Sequence, residues 1–543
     1  MTKLTFFGGA GSYEQGELGG VQILFDDKKG KFFLDYGQPP DRTNLIYSFP
    51  YRAKQFEMID IAESFELYAS IPGLFRHDLE RARGNKIREL PLDGILLTHA
   101  HYDHAGGFSL IRHDMPIFMH KYAQMILYIW QYTSGRTINQ FVDVIAQMSR
   151  APKRHGKEKF ISGEEATLPR DIRLFEDKKK FKIGNVNVTP YLVDHSLLGS
   201  AGFIVETSEG RVAVSGDFRL RGRRREDTEK FLKAARNVDY FLMEGSLLHF
   251  PHYGTEDDAA DGIAKLVEGK NFVGISYPPR DLDRLVSVYK ACEKTGRMLV
   301  VPANQAKLLQ GFGSFSELDR KFPKLSYKNI GVLLKLKGKG KGEDEGEFED
   351  LIERDYYMWE RDFLHFNRWN GKPESKPIRV FIEDIAENQD QFIVYMSQAD
   401  MVSFLNKIRP KKNSIYIRSH PGPWTDEMKV QENQVLNILK RFNMDDGLQA
   451  DYLAHLYMKG KKATLFTQGK PPVHKMHQVH VTGHMNKEET QEAIAGLSKK
   501  TIIVPYHAMH PVNFLTDVAQ GHRVFIPEIK KTYTLKEIKK NAR

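Results

Sequence analysis

The run Thr98-His-Ala-His-Tyr-Asp-His-Ala-Gly-Gly107 sets His99, His101, Asp103 and His104 within six positions, directly after the apolar stretch Ile95–Leu97. Side chains two apart on an extended turn can face one ion, so His99 and His101 suit a single cation. Asp103 and His104 then face a second position beside it. A mixture of imidazole and carboxylate donors fits zinc, with manganese as the alternative. Gly106 and Gly107 permit the sharp backbone turn that follows. A single histidine is ordinarily a packed or solvated residue, but four such donors crowded behind a strand point to metal ligation.

Several short segments elsewhere in the chain end in an acidic residue or a histidine. Asp35 ends F-F-L-D, His195 follows in V-D-H-S, Asp217 closes V-A-V-S-G-D, and Glu244 ends Y-F-L-M-E. His484 closes H-V-T-G-H, and His507 ends I-I-V-P-Y-H. The elements that must carry them read as a mixed α/β sandwich. Strands are predicted at Leu4–Phe7, Val21–Phe25 and Phe32–Asp35, the last two forming a hairpin across DDKKGK. Further strands are predicted at Ile95–Thr98, Phe181–Val193, Gly202–Glu206, Val212–Ser215 and Tyr240–Met243. Helical spacing covers Ile59–Arg83, helices are expected between Tyr122 and Met148, and Pro152–Lys157 reads as a polar connection.

A second α/β unit follows. Asn271–Ser276, Arg280–Thr295 and Met298–Pro302 read as strand, helix and strand, and the alternation recurs from Gln391 to Phe442. Lys335–Asp350 is a charged, Gly-rich run that reads as a loop. Gln478–Thr482 and Thr501–Pro505 read as strands around a helix at Lys487–Leu497.

With 41% hydrophobic residues the 543-residue chain has material for more than one core. Its net charge of +10 favours a polyanionic partner. The Arg-rich run Arg219, Arg221, Arg223, Arg224 and Arg225 reads either as a contact to a nucleic acid backbone or as a solvated basic loop. The only cysteine, Cys292, rules out an intrachain disulfide or a thiolate cluster. No stretch of 18 apolar residues occurs, and the N-terminus lacks an apolar signal-like run, so no membrane span and a cytoplasmic location are expected.

The H-x-H-x-D-H run, with Asp35 upstream and His195 and Asp217 downstream, resembles the signature of the metallo-β-lactamase superfamily. That resemblance implies an αββα sandwich. Glu244, His484 and His507 resemble the three further motifs of members that cleave nucleic acid, which carry an inserted α/β domain called β-CASP. The stretch Arg280–Arg297 is similar to that insertion's characteristic helix, and I-R-S-H-P-G-P to the segment leading back. As a whole the chain is similar to the ribonuclease J family. The implied layout is a metallo-β-lactamase domain over 1–246, a β-CASP domain over 247–470, and completion of the first domain over 471–543. The final His is followed here by Ala508-Met509 where the family commonly has Gly-Glu, and the segment 305–380 is longer and more polar than expected.

The same resemblance implies two divalent metal ions per chain, zinc or else manganese. His99, His101 and His195 would hold one, and Asp103, His104 and His507 the other, with Asp217 bridging. Two such cations activate a shared water and neutralise charge on a phosphodiester. Asp35 would orient the ligand loop from behind. His484 would contact the scissile phosphate or assist the leaving oxygen, with Glu244 orienting it, and His480, Thr482 and Ser419 would bind phosphate. The implied activity is hydrolysis of single-stranded RNA, as an exonuclease, an endonuclease or both. A DNA nuclease is the alternative, although the DNA-repair branch carries Val in place of the final His. A non-catalytic RNA-binding subunit would have lost ligands that are present here. A small-molecule hydrolase similar to glyoxalase II would not need so long an insertion. Whether the chain forms a homodimer stays open at this stage.

Overall fold

The computed structural model describes residues 1–11, 19–40, 42–43, 57–134, 139–145, 147–154, 157–163, 167–248, 254–335, 356–420, 426–444, 479 and 481–543. The chain forms two compact units. The first comprises Met1–Leu220, Arg224–Pro251 and Gly483–Arg543, and the second Arg221–Arg223 and His252–Thr482.

The first unit contains two seven-stranded sheets. One runs in the order Ile172–Phe175, Ile117–His120, Gly94–Leu96, Gly30–Leu34, Gln22–Asp27, Lys3–Gly8, Thr532–Thr534. The other runs Phe181–Ile183, Val186–Leu192, Ala201–Glu206, Arg211–Val214, Tyr240–Gly245, Ile502–Ala508, Arg523–Val524. Alternate residues of Lys3–Gly8 and Val186–Leu192 are buried, the period expected when one strand face meets a core. Those faces pack together: Leu4, Phe6, Ile23 and Phe25 of one sheet share a core with Val188, Phe203, Val214, Leu242 and Val504 of the other. Behind the second sheet lie Phe231 and Ala235 of the helix Arg225–Ala235, and Ala493 and Ile494 of the helix Lys487–Ala495. The helix Lys121–Thr133 follows the strand Ile117–His120 of the first sheet. This is the αββα sandwich expected from the sequence.

Strand register decides where the chemistry gathers. Val214, Leu242 and Val504 lie side by side on three parallel strands. Asp217, just past its strand, and Glu244 and His507, near the ends of theirs, therefore gather at one end of the sheet. In the other sheet Leu34 pairs with Leu96 in parallel, so Asp35 and Thr98 also emerge together.

The second unit is built on a fully parallel seven-stranded sheet, ordered Asn367–Arg368, Ile378–Val380, Ile330–Leu333, Met298–Pro302, Phe392–Tyr395, Val273–Ser276, Ile415–Arg418. Every residue of Met298–Pro302 is buried, as a strand covered on both faces must be. The helix Leu282–Thr295 is capped by the Asp281 side chain, which accepts from the Arg284 amide, and ends on left-handed Gly296.

Some sequence expectations need correction. The span Ile59–Arg83 is two short helices, Met58–Ser64 and His77–Ala82. Pro72 and Gly73, the latter at φ +93°, interrupt the helical spacing between them. Helix ends at Thr133 in the span Tyr122–Met148; Asp143–Val144 is a strand, and Gln147–Arg154 pairs antiparallel with Lys157–Gly163. The supposed connection Pro152–Lys157 thus overlaps both paired strands, Arg154 lying opposite Lys157, while 155 and 156 lie outside the described residues. Gly184, at φ +56°, splits Phe181–Val193 into two strands. Val479, Val481 and Thr482 form no strand, while Gln478 and His480 lie outside the described residues. Of the run Lys335–Asp350 only Lys335 is described.

Candidate metal centre

Five histidines and two aspartates, four of the seven from the turn after Gly94–Leu96 and the others from the ends of further strands, converge on one region. His101 Nδ1 stands 2.9 Å from His99 Nε2 and 3.1 Å from His195 Nε2. Tetrahedral ligands at zinc–nitrogen distances near 2.0–2.1 Å lie about 3.3 Å apart, so these three nitrogens are spaced as ligands of one ion. Asp217 Oδ2 is 3.4 Å from His99 Nε2, 3.4 Å from His104 Nε2, 3.5 Å from His507 Nε2 and 3.9 Å from His195 Nε2. Asp103 Oδ2 completes a second group, 3.8 Å from His104 Nε2 and 3.7 Å from His507 Nε2. His99, His101, His195 and Asp217 form one set of donors able to hold an ion, and Asp103, His104 and His507 another. All seven side chains come together, with the Asp217 carboxylate between the two sets.

Hydrogen bonds behind the imidazoles fix their tautomers. The Thr98 hydroxyl donates to Asp35 Oδ2 (2.8 Å), leaving its lone pairs to accept from His99 Nδ1–H (3.0 Å). Asp35 also accepts from the Thr98 amide (2.7 Å) and from His104 Nδ1–H (2.7 Å). Asp35 is at φ +54° and fully buried. His195 Nδ1–H donates to the Gly483 carbonyl (2.6 Å). Each bond leaves an Nε2 aimed at the centre, the support expected behind a metal-ligating histidine. At His507 the Gly19 amide donates to Nδ1 (2.6 Å), which places a neutral ring's proton on Nε2; to hold a cation through Nε2 the neutral ring would carry its proton on Nδ1 and give up this bond.

The electrostatics suit cations. Burial holds His99 and His195 well below the ordinary histidine pKa, and brings His101 to about 4 against the pull of Asp103 and Asp217. These three rings are therefore neutral, the form that binds metal. Burial also opposes charge on His104, but Asp217, Asp103 and Asp35 together outweigh it and hold this ring well above its ordinary value. Three carboxylates around one buried imidazole make a position that favours positive charge. His104 Nε2 and Asp217 Oδ1 are buried without a hydrogen-bond partner. Buried polar atoms without a hydrogen-bond partner are rare in folded proteins, and metal ligation would satisfy both.

His484 stands at the rim, its side chain 21% exposed, with Nδ1 3.2 Å from Glu244 Oε1 and 3.8 Å from Asp217 Oδ2. Burial opposes its charge, yet Glu244 and Asp217 push its pKa up to about 9. Glu244 is held in turn by the Ser246 amide and hydroxyl (both 2.9 Å), and the same hydroxyl reaches the His507 carbonyl (3.0 Å). His507 is itself left-handed, at φ +47°, and its amide donates to the Gly9 carbonyl.

Several supporting residues escaped the sequence reading. Thr98 stood beside His99 and carried a signal only by adjacency. Gly37 is packed so tightly that an added Cβ would fall 1.6 Å from the Asp103 carbonyl oxygen. Two members of the Arg-rich run are built into the fold, and others form ion pairs nearer the surface. Buried Arg219 donates from Nε to Asp194 (3.1 Å), and Arg224 donates to the Asp194 carboxylate and the His195 carbonyl, so both clamp the His195 turn. Arg225 pairs with Glu229 and Glu492, and Arg223 with Asp257. Ser419 and Thr482 belong to the second unit. The Ser419 hydroxyl is fully buried between Arg284 and the Val479 carbonyl. His480 lies outside the described residues.

Residues 69–252 match the family model of a β-lactamase superfamily domain. A curated relative, ribonuclease J of Mycoplasma genitalium, is 24% identical over 169 residues, which is 30% of this chain and 25% of the relative. Much of that relative's length therefore has no counterpart in the match. A crystal structure of a protein of unknown function from Enterococcus faecalis V583 superposes with a TM-score of 0.62 at 17% identity, over 98% of this chain and 100% of that one. The last similarity speaks to the fold alone.

Proposed function

This chain carries a metallo-β-lactamase superfamily domain, and on that premise we propose that it hydrolyses RNA phosphodiester bonds with two divalent metal ions. One observation carries the reading: donors scattered from position 99 to position 507 meet around a single carboxylate, Asp217. His99, His101 and His195 would hold one ion, Asp103, His104 and His507 the other, and Asp217 both. Zinc fits the nitrogen-rich set, with manganese as the alternative. When bound, such a pair of ions activates water and neutralises phosphate charge.

The chain's own residues supply the rest. Asp35, Thr98 and the Gly483 carbonyl hold ligand rings in the required tautomer. Glu244 takes Nδ1 of His484, leaving Nε2 to face a phosphate oxygen or to pass a proton to the departing 3′ oxygen. A His484 kept cationic by Glu244 and Asp217 also attracts the anionic substrate. RNA is favoured over DNA by the likeness to ribonuclease J and by the histidine, not valine, at position 507. The net charge of +10 fits either nucleic acid. The second unit, with its parallel sheet, would be the β-CASP insertion.

The test is incubation of the purified full chain with matched single strands of RNA and DNA, end-labelled, with zinc, manganese or a chelator. RNA cleavage that the chelator stops is expected. Cleavage of DNA only would overturn the choice of substrate, and cleavage of neither would overturn the reading as a nuclease.

A further inference from the structure

Arg284 lies wholly inside the second unit, with 0% of its surface exposed. Its guanidinium has five N–H donors, and all find acceptors. Nε donates to Glu256 Oε2 (3.2 Å) and Nη2 to Glu256 Oε1 (3.2 Å) and the Val481 carbonyl (3.2 Å). Nη1 donates to the Val479 carbonyl (3.0 Å) and to the Ser419 hydroxyl. Glu256 is as buried as Arg284 and also accepts from the Ser287 hydroxyl (2.7 Å), to which Arg223 Nη2 donates (2.9 Å).

Such an arrangement is expensive as a device for stability. Burying an ion pair costs several kcal/mol per ion in desolvation, and well-packed apolar residues often do as well or better. What an apolar pair cannot do is grip backbone carbonyls at fixed angles. Two of the five donors go to Val479 and Val481, and a third to the serine whose hydroxyl is itself bonded to Val479. The chain continues from Val481 through Thr482 to Gly483, whose carbonyl fixes His195, and to His484. Arg223, tied to the same hub through Ser287, stands six positions after Asp217 in the sequence.

We infer that Arg284 is a positioning residue for His484. It clamps the carbonyls of Val479 and Val481, and so sets the path of the backbone that delivers Gly483 and His484. Its hydrogen bonds to Glu256, Ser419, Val479 and Val481 go to none of the proposed metal ligands. The inference rests on the proposed hydrolase reading for its consequence in catalysis, but not for its consequence in structure.

Two readouts separate these. The first needs no activity: in protein labelled at histidine, the Cε1–H resonance of His484, assigned by its loss in His484→Ala, should shift in Arg284→Met. An unshifted resonance in a folded Arg284→Met protein would overturn the inference, whatever the enzyme does. The second is a double-mutant cycle in cleavage. Arg284→Met should lower kcat by about 10- to 100-fold, the scale of a misplacement near 1 Å. In a His484→Ala background the same substitution should cost less than about threefold, because it acts through a ring no longer present. Equal losses in both backgrounds would refute positioning through His484. Should Arg284→Met not fold, Ser419→Ala, which removes one arm of the clamp, must give the same resonance shift and the same non-additivity at smaller size; if it gives neither, the inference fails. A protein without nuclease activity would sink the hydrolase reading and leave the resonance test standing.

Discussion

Replacing Gly37 by alanine adds one methyl group where the second donor set is hung. Gly37 lies in the segment after Asp35 that runs beside the ligand loop: Tyr36 donates to the His104 carbonyl, Gln38 to the Tyr102 carbonyl, and Val21 to the Asp103 carbonyl. An added Cβ would sit 1.6 Å from the Asp103 oxygen, 2.2 Å from its carbonyl carbon and 2.7 Å from the His104 nitrogen. Ordinary contact needs about 3.2 Å or more, so one backbone must retreat by about 1.5 Å. These are backbone atoms held by hydrogen bonds, with no flexible side chain to swing aside. Metal–ligand distances tolerate only about 0.2 Å, so Asp103 and His104 would no longer bind with His507. His99, His101, His195 and Asp217 would keep their set. Elemental analysis of Gly37→Ala should show bound metal falling from roughly two to roughly one per chain, and cleavage should drop by about 100-fold or more. Overpacking should cost about 1–3 kcal/mol of stability, leaving the protein folded by circular dichroism. Gly496→Ala is the control, because its Cβ would meet nothing closer than 3.9 Å. Full metal content and an undiminished rate in Gly37→Ala would refute the claim that this contact sets the ligand loop.

His99→Ala and Asp217→Ala should lose both cleavage and metal, whereas His484→Ala should slow cleavage with metal content kept; metal loss in the last variant would place His484 among the ligands instead. Asp27 tests a part of the fold away from the metal ligands. Burial pushes its pKa up, but hydrogen bonds from Ser208, Thr2 and Lys29 prevail and bring it to about 2. A depressed carboxylate stabilises the fold above its unfolded pKa near 4 and loses that contribution as pH falls towards 2. Asp27→Asn should therefore cost about 2 kcal/mol at pH 7 in denaturant titration, with the gap closing between pH 4 and 2. A gap independent of pH would show that the charge is not what matters.

The sequence alone located the ligand-rich turn, because His99, His101, Asp103 and His104 are neighbours in the chain and a strand before a turn presents them together. Resemblance added Asp35, His195, Asp217, Glu244, His484 and His507, and the apolar runs before most of them already placed these residues at strand ends. It could not show that the strands share one register, and only that register brings their ends to a common point. Local spacing also misled where pairing partners lay far off. Helical periodicity between Tyr122 and Met148 gave way to strands beyond Thr133, and the strand expected at Gln478–Thr482 has no ladder among its described residues, its carbonyls going to Arg284. Gly37, Arg219 and Arg284 carried no signal of these roles, and Thr98 only its place beside His99. Each acts on residues far away in the chain or through a single contact of a few ångströms, and such contacts exist only once the sheets have closed.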